Sequence, residues 1–133
     1  MAPSSVLVDG HAWGTLDDAF SRAHRHAYDR VLVCDCLWMP WQHANLHRSL
    51  SHFLRLADAP DARCWVVAGF HTGRENMRGF FAPDALASAA LALDAIWERD
   101  CDGHTRPWAW DRTDDVTVRK RWLVVAVLKR AVA

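Results

Sequence analysis

The chain carries no excess charge of either sign, since 16 Lys and Arg balance 16 Asp and Glu over 133 residues. Wrapping a phosphate backbone takes a basic surplus, so the balance argues against nucleic acid as a partner. No window approaches the roughly 18 uninterrupted apolar residues of a membrane span. The start Met1-Ala2-Pro3-Ser4-Ser5 lacks the basic and apolar regions of a secretory leader. The expectation is a cytoplasmic chain with no membrane partner. Four cysteines, Cys34, Cys36, Cys64 and Cys101, suggest a disulfide framework only in a small secreted chain, so they read as reduced thiols. Three glycine signatures are also missing. Without Gly-x-Gly-x-x-Gly there is no dinucleotide-binding first turn. Without Gly-x-x-x-x-Gly-Lys-Ser/Thr there is no phosphate-cradling loop, and the two glycines of Gly69 to Arg74 do not make one. Without Gly-x-Ser-x-Gly there is no hydrolase elbow.

What is present is enough grease for a core, 51% apolar against 24% charged, in a length that suits one domain over residues 1–133. Eight tryptophans stand out, several at the ends of apolar runs where an amphipathic ring can line a cleft.

Ser5 to Val8 reads as a short strand stopped by Asp9-Gly10. Thr15 and Asp18 resemble a capping box, and Leu16, Ala19, Phe20, Ala23 and Ala27 then form one helical stripe. Val31 to Leu37 is a nearly continuous apolar run, the mark of a strand buried on both faces. Leu46, Leu50, Phe53, Leu54 and Ala57 predict a helix after Pro40, and Cys64 to Ala68 predict a second buried strand. Glu75 to Leu91 reads as helical with a new start at Pro83; residues 94–100 and Trp122 to Leu128 read as strands. Between the last two, residues 102–119 form a long polar excursion. Alternating helices and apolar strands imply a parallel α/β sheet, with ligands beyond the carboxyl ends of its strands. Those ends fall at Asp9 to Gly14, Asp35 to Trp41 and Gly69 to Arg74.

A metal site from Cys34, Cys36, His43 and His47 has workable spacing, but zinc prefers Cys-x-x-Cys knuckles, and thiols in a buried strand are more often small hydrophobes. Neither Ser49 nor Ser51 sits on a strand-to-helix turn. Asp35 is the most informative residue, because an acid in an apolar strand is costly unless it finds partners. It either caps the following loop or meets a ligand at the mouth of the sheet. Trp13, before Gly14, is either core packing or a platform for a purine ring, and Trp38 and Trp41 share that ambiguity.

Gly10-His11-Ala12-Trp13-Gly14, Asp35-Cys36-Leu37-Trp38, Trp65 to Arg74 and Arg119-Lys120-Arg121-Trp122-Leu123-Val124, in that order, resemble the carboxyl-terminal half of the fungal nicotinamide N-methyltransferase-like family. These are seven-strand, class I methyltransferases dependent on S-adenosylmethionine, grouped with lysine methyltransferases that modify proteins such as translation elongation factor 1-alpha. The resemblance implies a partial Rossmann-like α/β sheet equivalent to strands three to seven, with flanking helices. It places Trp13 and Gly14 at the adenine, Cys34 and Asp35 at the cofactor, and Asp35 with Trp38 at the methyl-transfer site, Trp38 standing where the family has Tyr or Phe. A complete member carries upstream strands one and two, the glycine-rich loop and the acid that holds the ribose. The resemblance therefore implies an N-methyltransferase acting on a protein lysine, an N-terminal amine or a nicotinamide-like acceptor. The alternative is a catalytically inactive remnant or interaction module. It also implies a bare edge on the Val31 to Leu37 strand, to be covered by a partner or by Val6 to Val8 pairing with Val31 to Val33.

Overall fold

The computed structural model describes residues 5–132. Met1 to Ser4, which carry most of the leader reading, lie outside them. Twelve short elements follow one another along these residues. Helix α1 (Ala19–Ala23) precedes strand β1 (Arg30–Cys34), and a 3-10 turn (Pro40–Gln42) leads into helix α2 (His43–Phe53). Strand β2 (Arg63–Gly69) comes next. Helix α3 (Arg74–Met77), a 3-10 turn (Arg78–Phe81) and helix α4 (Pro83–Ala87) then connect to strand β3 (Leu91–Asp100). Strand β4 (Thr105–Pro107), helix α5 (Val116–Arg119) and strand β5 (Trp122–Arg130) complete the chain.

The five strands form one sheet in the order β1-β2-β5-β3-β4. β1 and β2 are parallel, with Cys34 opposite Val67. β5 inserts between β2 and β3 and runs antiparallel to both, so the sheet is mixed where an all-parallel one was expected. The tight turn at Asp102-Gly103 accounts for part of this: β4 folds back antiparallel on β3, and the chain then re-enters the sheet at Trp122.

Alternation decides which face is covered. Val33, Cys64, Val66, Ala68, Val124 and Ala126 are buried on one face under Leu46 and Leu50 of α2, Met77 of α3 and Leu86 of α4. Leu32, Trp65 and Leu123 point the other way and stay exposed, Leu32 by 69%. Trp65 meets Trp97 edge to face there, at 6.3 Å between centroids. The flanking helices thus cover a single face.

Several expectations need correction. Residues 5–8 form no strand, and among the described residues no ladder joins them to the outer edge of β1. Val6 and Val8 are each 88% exposed. Three apolar residues ending at Asp9, whose carboxylate accepts from the Gly10 N–H, offer too few cross-strand contacts to hold a strand. Among the described residues, no strand pairs with the outer edge of β1. β1 also ends at Cys34, three residues short of Leu37, because Asp35 turns into the left-handed region with φ 59°. Helix α1 is only five residues long, and its cap is Asp18, which accepts from the Ser21 N–H; Thr15 plays no such part.

Candidate functional site

The carboxyl ends of β1, β2 and β3 and the amino end of β5 meet at one rim of the sheet, as the pairings Cys34 with Val67, Gly69 with Leu123 and Asp100 with Trp122 require. Asp35 stands at that rim. Its N–H donates to the Val67 carbonyl at 2.7 Å, and its carboxylate accepts from the Gly69 N–H at 3.0 Å and from His71 Nε2 at 2.9 Å. Gly69 is required here, because a Cβ would lie 2.7 Å from His71 Nε2 and push the imidazole away. The carboxylate thus ties down the end of β2 rather than the loop that follows Asp35, and it and the imidazole stay more than half exposed. His71 Nδ1 has no hydrogen-bond partner among the described residues. An imidazole oriented through Nε2 by a carboxylate can take a proton at Nδ1.

A second feature lies beside β1. A cavity of about 180 Å³ is lined by Trp13, Val33, Cys34, Cys36 and Leu46, among others, with mostly apolar walls. Trp13 reaches it from a tight turn in which the Thr15 N–H donates to the Ala12 carbonyl. Gly14 takes φ +80° in that turn, the backbone value that such turns reserve for glycine. Ser49 of α2 pins the turn, accepting from the Gly14 N–H at 2.8 Å and bonding His11 Nε2 at 2.8 Å, while His11 Nδ1 meets Ser21 Oγ. The structure thus brings Trp13 and Cys34 together and places Gly14 in the turn that carries Trp13. Asp35 turns toward β2 and away from this cavity. Trp38 is 49% exposed, just beyond the buried Leu37, whose carbonyl accepts from His43 Nε2.

His43 and His47 point inward, His47 Nε2 donating to the Phe80 carbonyl at 2.9 Å, and burial pushes both imidazoles below the usual histidine range. Burial raises the Cys36 thiol, and drives Cys64, inside β2, up to about 12. All four cysteines are free.

One cluster was not anticipated. Glu98 of β3 is fully buried and meets three guanidinium groups: Arg74 at 2.8 Å, Arg106 at 2.9 Å and Arg112 at 2.9 Å. Arg74 also caps the Ala109 and Arg112 carbonyls and lies 4.4 Å from the centre of the Phe70 ring. Arg106 stacks on Trp122 at 3.8 Å and bonds Asp114. Burial would raise the Glu98 carboxyl, but the arginine hydrogen bonds and charges outweigh it and leave it lowered. The sequence offered little signal for it, since Glu98 is followed by Arg99 and Asp100 and reads as part of a charged strand end.

No family model and no curated protein matches the chain. Among solved structures, it is similar to two mutants of the 16S rRNA (adenine(1408)-N(1))-methyltransferase of Catenulisporales acidiphilia. One is a tryptophan-to-alanine mutant with its cosubstrate SAM, at TM-score 0.50 and 14% identity, the match covering 84% of this chain and 56% of that one. The other is an aspartate-to-alanine mutant, at TM-score 0.51 and 17% identity, covering 84% and 57%. The chain spans a little over half the length of these neighbours. The likeness shows a partial class I methyltransferase fold and does not extend to the fungal nicotinamide and lysine methyltransferases.

Proposed function

We propose that this chain is the carboxyl-terminal half of an S-adenosylmethionine-dependent methyltransferase whose acceptor is a nitrogen. One observation carries the reading: in a sheet with the partial class I arrangement, an aromatic ring on a tight turn, Trp13, lines a cavity beside β1 that Cys34 also lines. Mostly apolar walls that include an indole suit the faces of an adenine. Among the described residues, nothing supplies the glycine-rich loop or the ribose-binding acid. When bound, the cofactor supplies a methyl group already activated on a sulfonium, so the protein's task is chiefly positioning.

In this reading Trp13 stacks on the adenine, Gly14 sets the angle of the turn, and Cys34 borders the cofactor. Asp35 and Trp38 border the acceptor. His71, oriented by Asp35, takes the proton that the acceptor nitrogen sheds. The acceptor favoured is a protein amine, a lysine or an amino terminus, with a nicotinamide-like ring as the small-molecule counterpart. Both the outer edge of β1, which no described strand pairs, and the exposed face of Leu32, Trp65 and Leu123 support a partner that completes the sheet. The same two surfaces favour a second reading, an interaction module that works only with that partner and catalyses nothing itself.

The test is a fluorescence titration of the purified chain with S-adenosylhomocysteine. Saturable binding is expected, weakened by roughly 5- to 150-fold in Trp13→Ala, since stacking a base on an aromatic ring is worth about 1–3 kcal/mol. Binding left intact by Trp13→Ala would remove the assignment of the cavity.

A further inference from the structure

On the acceptor side of the same rim lies a second cavity of about 180 Å³, lined by Gly69, Phe70, His71, Arg119, Lys120 and Trp122, among others. Three of these side chains are cationic or can become so, and none is acidic. Arg119 is half-buried at the end of α5, and Lys120 follows it. Among the described residues, neither side chain makes an ion pair or a hydrogen bond. The other arginines nearby are committed: Arg74, Arg106 and Arg112 all meet Glu98, and Arg106 also meets Asp114. Arg119 also lines the adjoining cavity of about 190 Å³, where the acids are Glu75 and Asp114, yet neither lies within ion-pair distance of it.

Placing a guanidinium in a half-enclosed cleft costs solvation that an anion would restore. His71 closes the cleft on the Asp35 side, with Nε2 held by the carboxylate and Nδ1 facing no partner. We infer that this cleft binds an oxyanion, a phosphate or carboxylate carried by the methyl acceptor, between Arg119 and Lys120, with His71 Nδ1 left free beside it. The inference rests on the methyltransferase reading for its meaning, though the binding itself needs no cofactor. The site would select an acceptor whose nucleophilic nitrogen lies close to an anionic group and would deliver that nitrogen to the Asp35 and His71 pair.

The experiment titrates the chain with inorganic phosphate and, separately, with acetate at constant ionic strength, following the His71 imidazole and Trp122 indole signals by NMR. Saturable shifts of both signals by at least one anion are expected. The dissociation constant should rise about tenfold or more in Arg119→Gln and several-fold in the surface change Lys120→Gln, while Trp13→Ala leaves it unchanged. A preference for phosphate or for acetate identifies the acceptor's anionic group. Shifts that never saturate, or saturation indifferent to Arg119→Gln, would overturn the inference. S-adenosylhomocysteine binding with no anion binding would refute the oxyanion site and leave the methyltransferase reading standing. Anion binding in a chain that ignores S-adenosylhomocysteine would keep the site and remove that reading.

Discussion

Two residues bear most of the site's geometry, and both hold backbone conformations that few residue types accept. Asp35 sits at φ 59°, a region that costs most L-residues about 1–2 kcal/mol and that Asn and Asp enter most readily. Asp35→Asn should therefore keep the turn and the bond from the Gly69 N–H, and urea unfolding should find it close to the parent. Asp35→Ala takes on the left-handed cost and orphans that N–H, for a loss of about 2–3 kcal/mol in the same measurement. Gly14 is the counterpart on the cofactor side: a Cβ there would lie 2.5 Å from Asn45 Oδ1, on top of the positive φ. Gly14→Ala should lose about 1–2 kcal/mol of stability and loosen the Trp13 turn. Asp35 was legible in the sequence because an acid in an apolar run demands a partner. His71 was not, because its role comes from β2 lying parallel to β1, which puts residue 71 beside residue 35.

At the level of elements, α2 packs with two histidines inward. Periodicity found its apolar stripe but could not say that His43 and His47 would be buried with it, since a histidine reads as polar on any wheel. Each donates Nε2 to a carbonyl, and burial favours the neutral form of both rings. Their folded pKa values lie below the ordinary 6.5 because burial disfavours the charged form. The unfolded chain then binds more protons between the folded and unfolded values, so the stability these residues contribute is complete above pH 6.5 and lost as pH falls through the folded value. Thermal melts from pH 7.5 to 5 should show the fall, and His47→Gln should flatten it; a melting temperature independent of pH over that range would contradict the burial. The strands β2 and β5 were legible as apolar runs, and β3 as a strand over residues 94–100, short of its start at Leu91. Short elements were not: β4 and α5 lie inside the polar excursion, three and four residues long, where no periodicity can declare itself. Val6 to Val8 failed in the opposite sense, β-branched enough to suggest a strand and too brief to hold one.

For the whole molecule, Glu98 ties the β3 strand, the β4 hairpin and the loop beyond it to α3 through three arginines. Breaking a buried ionic cluster by removing one partner costs about 3–5 kcal/mol, so Glu98→Ala should lose a large share of the roughly 5–15 kcal/mol that holds a domain together, read in denaturant melts. Because the Glu98 carboxyl is held below its ordinary 4.5, its contribution is present above that value and disappears as pH falls through the lowered one. No pairwise pattern in the sequence announces such a cluster, since its members lie up to 38 residues apart, from Arg74 to Arg112. The same whole-molecule view explains the one-sided sheet. With Leu32 exposed beside an edge that no described strand pairs, the chain should self-associate or bind a completing partner, and Leu32→Lys should suppress self-association in sedimentation velocity without lowering the melting temperature. An unchanged sedimentation profile would show that the edge is harmless as it stands.

The most direct test of the central claim is a crystal structure of the chain grown with S-adenosylhomocysteine. The adenine ring is expected against Trp13 with Cys34 at its edge, in the cavity beside β1. Adenine bound anywhere else, or a chain that crystallises without the ligand at saturating concentration, would contradict it.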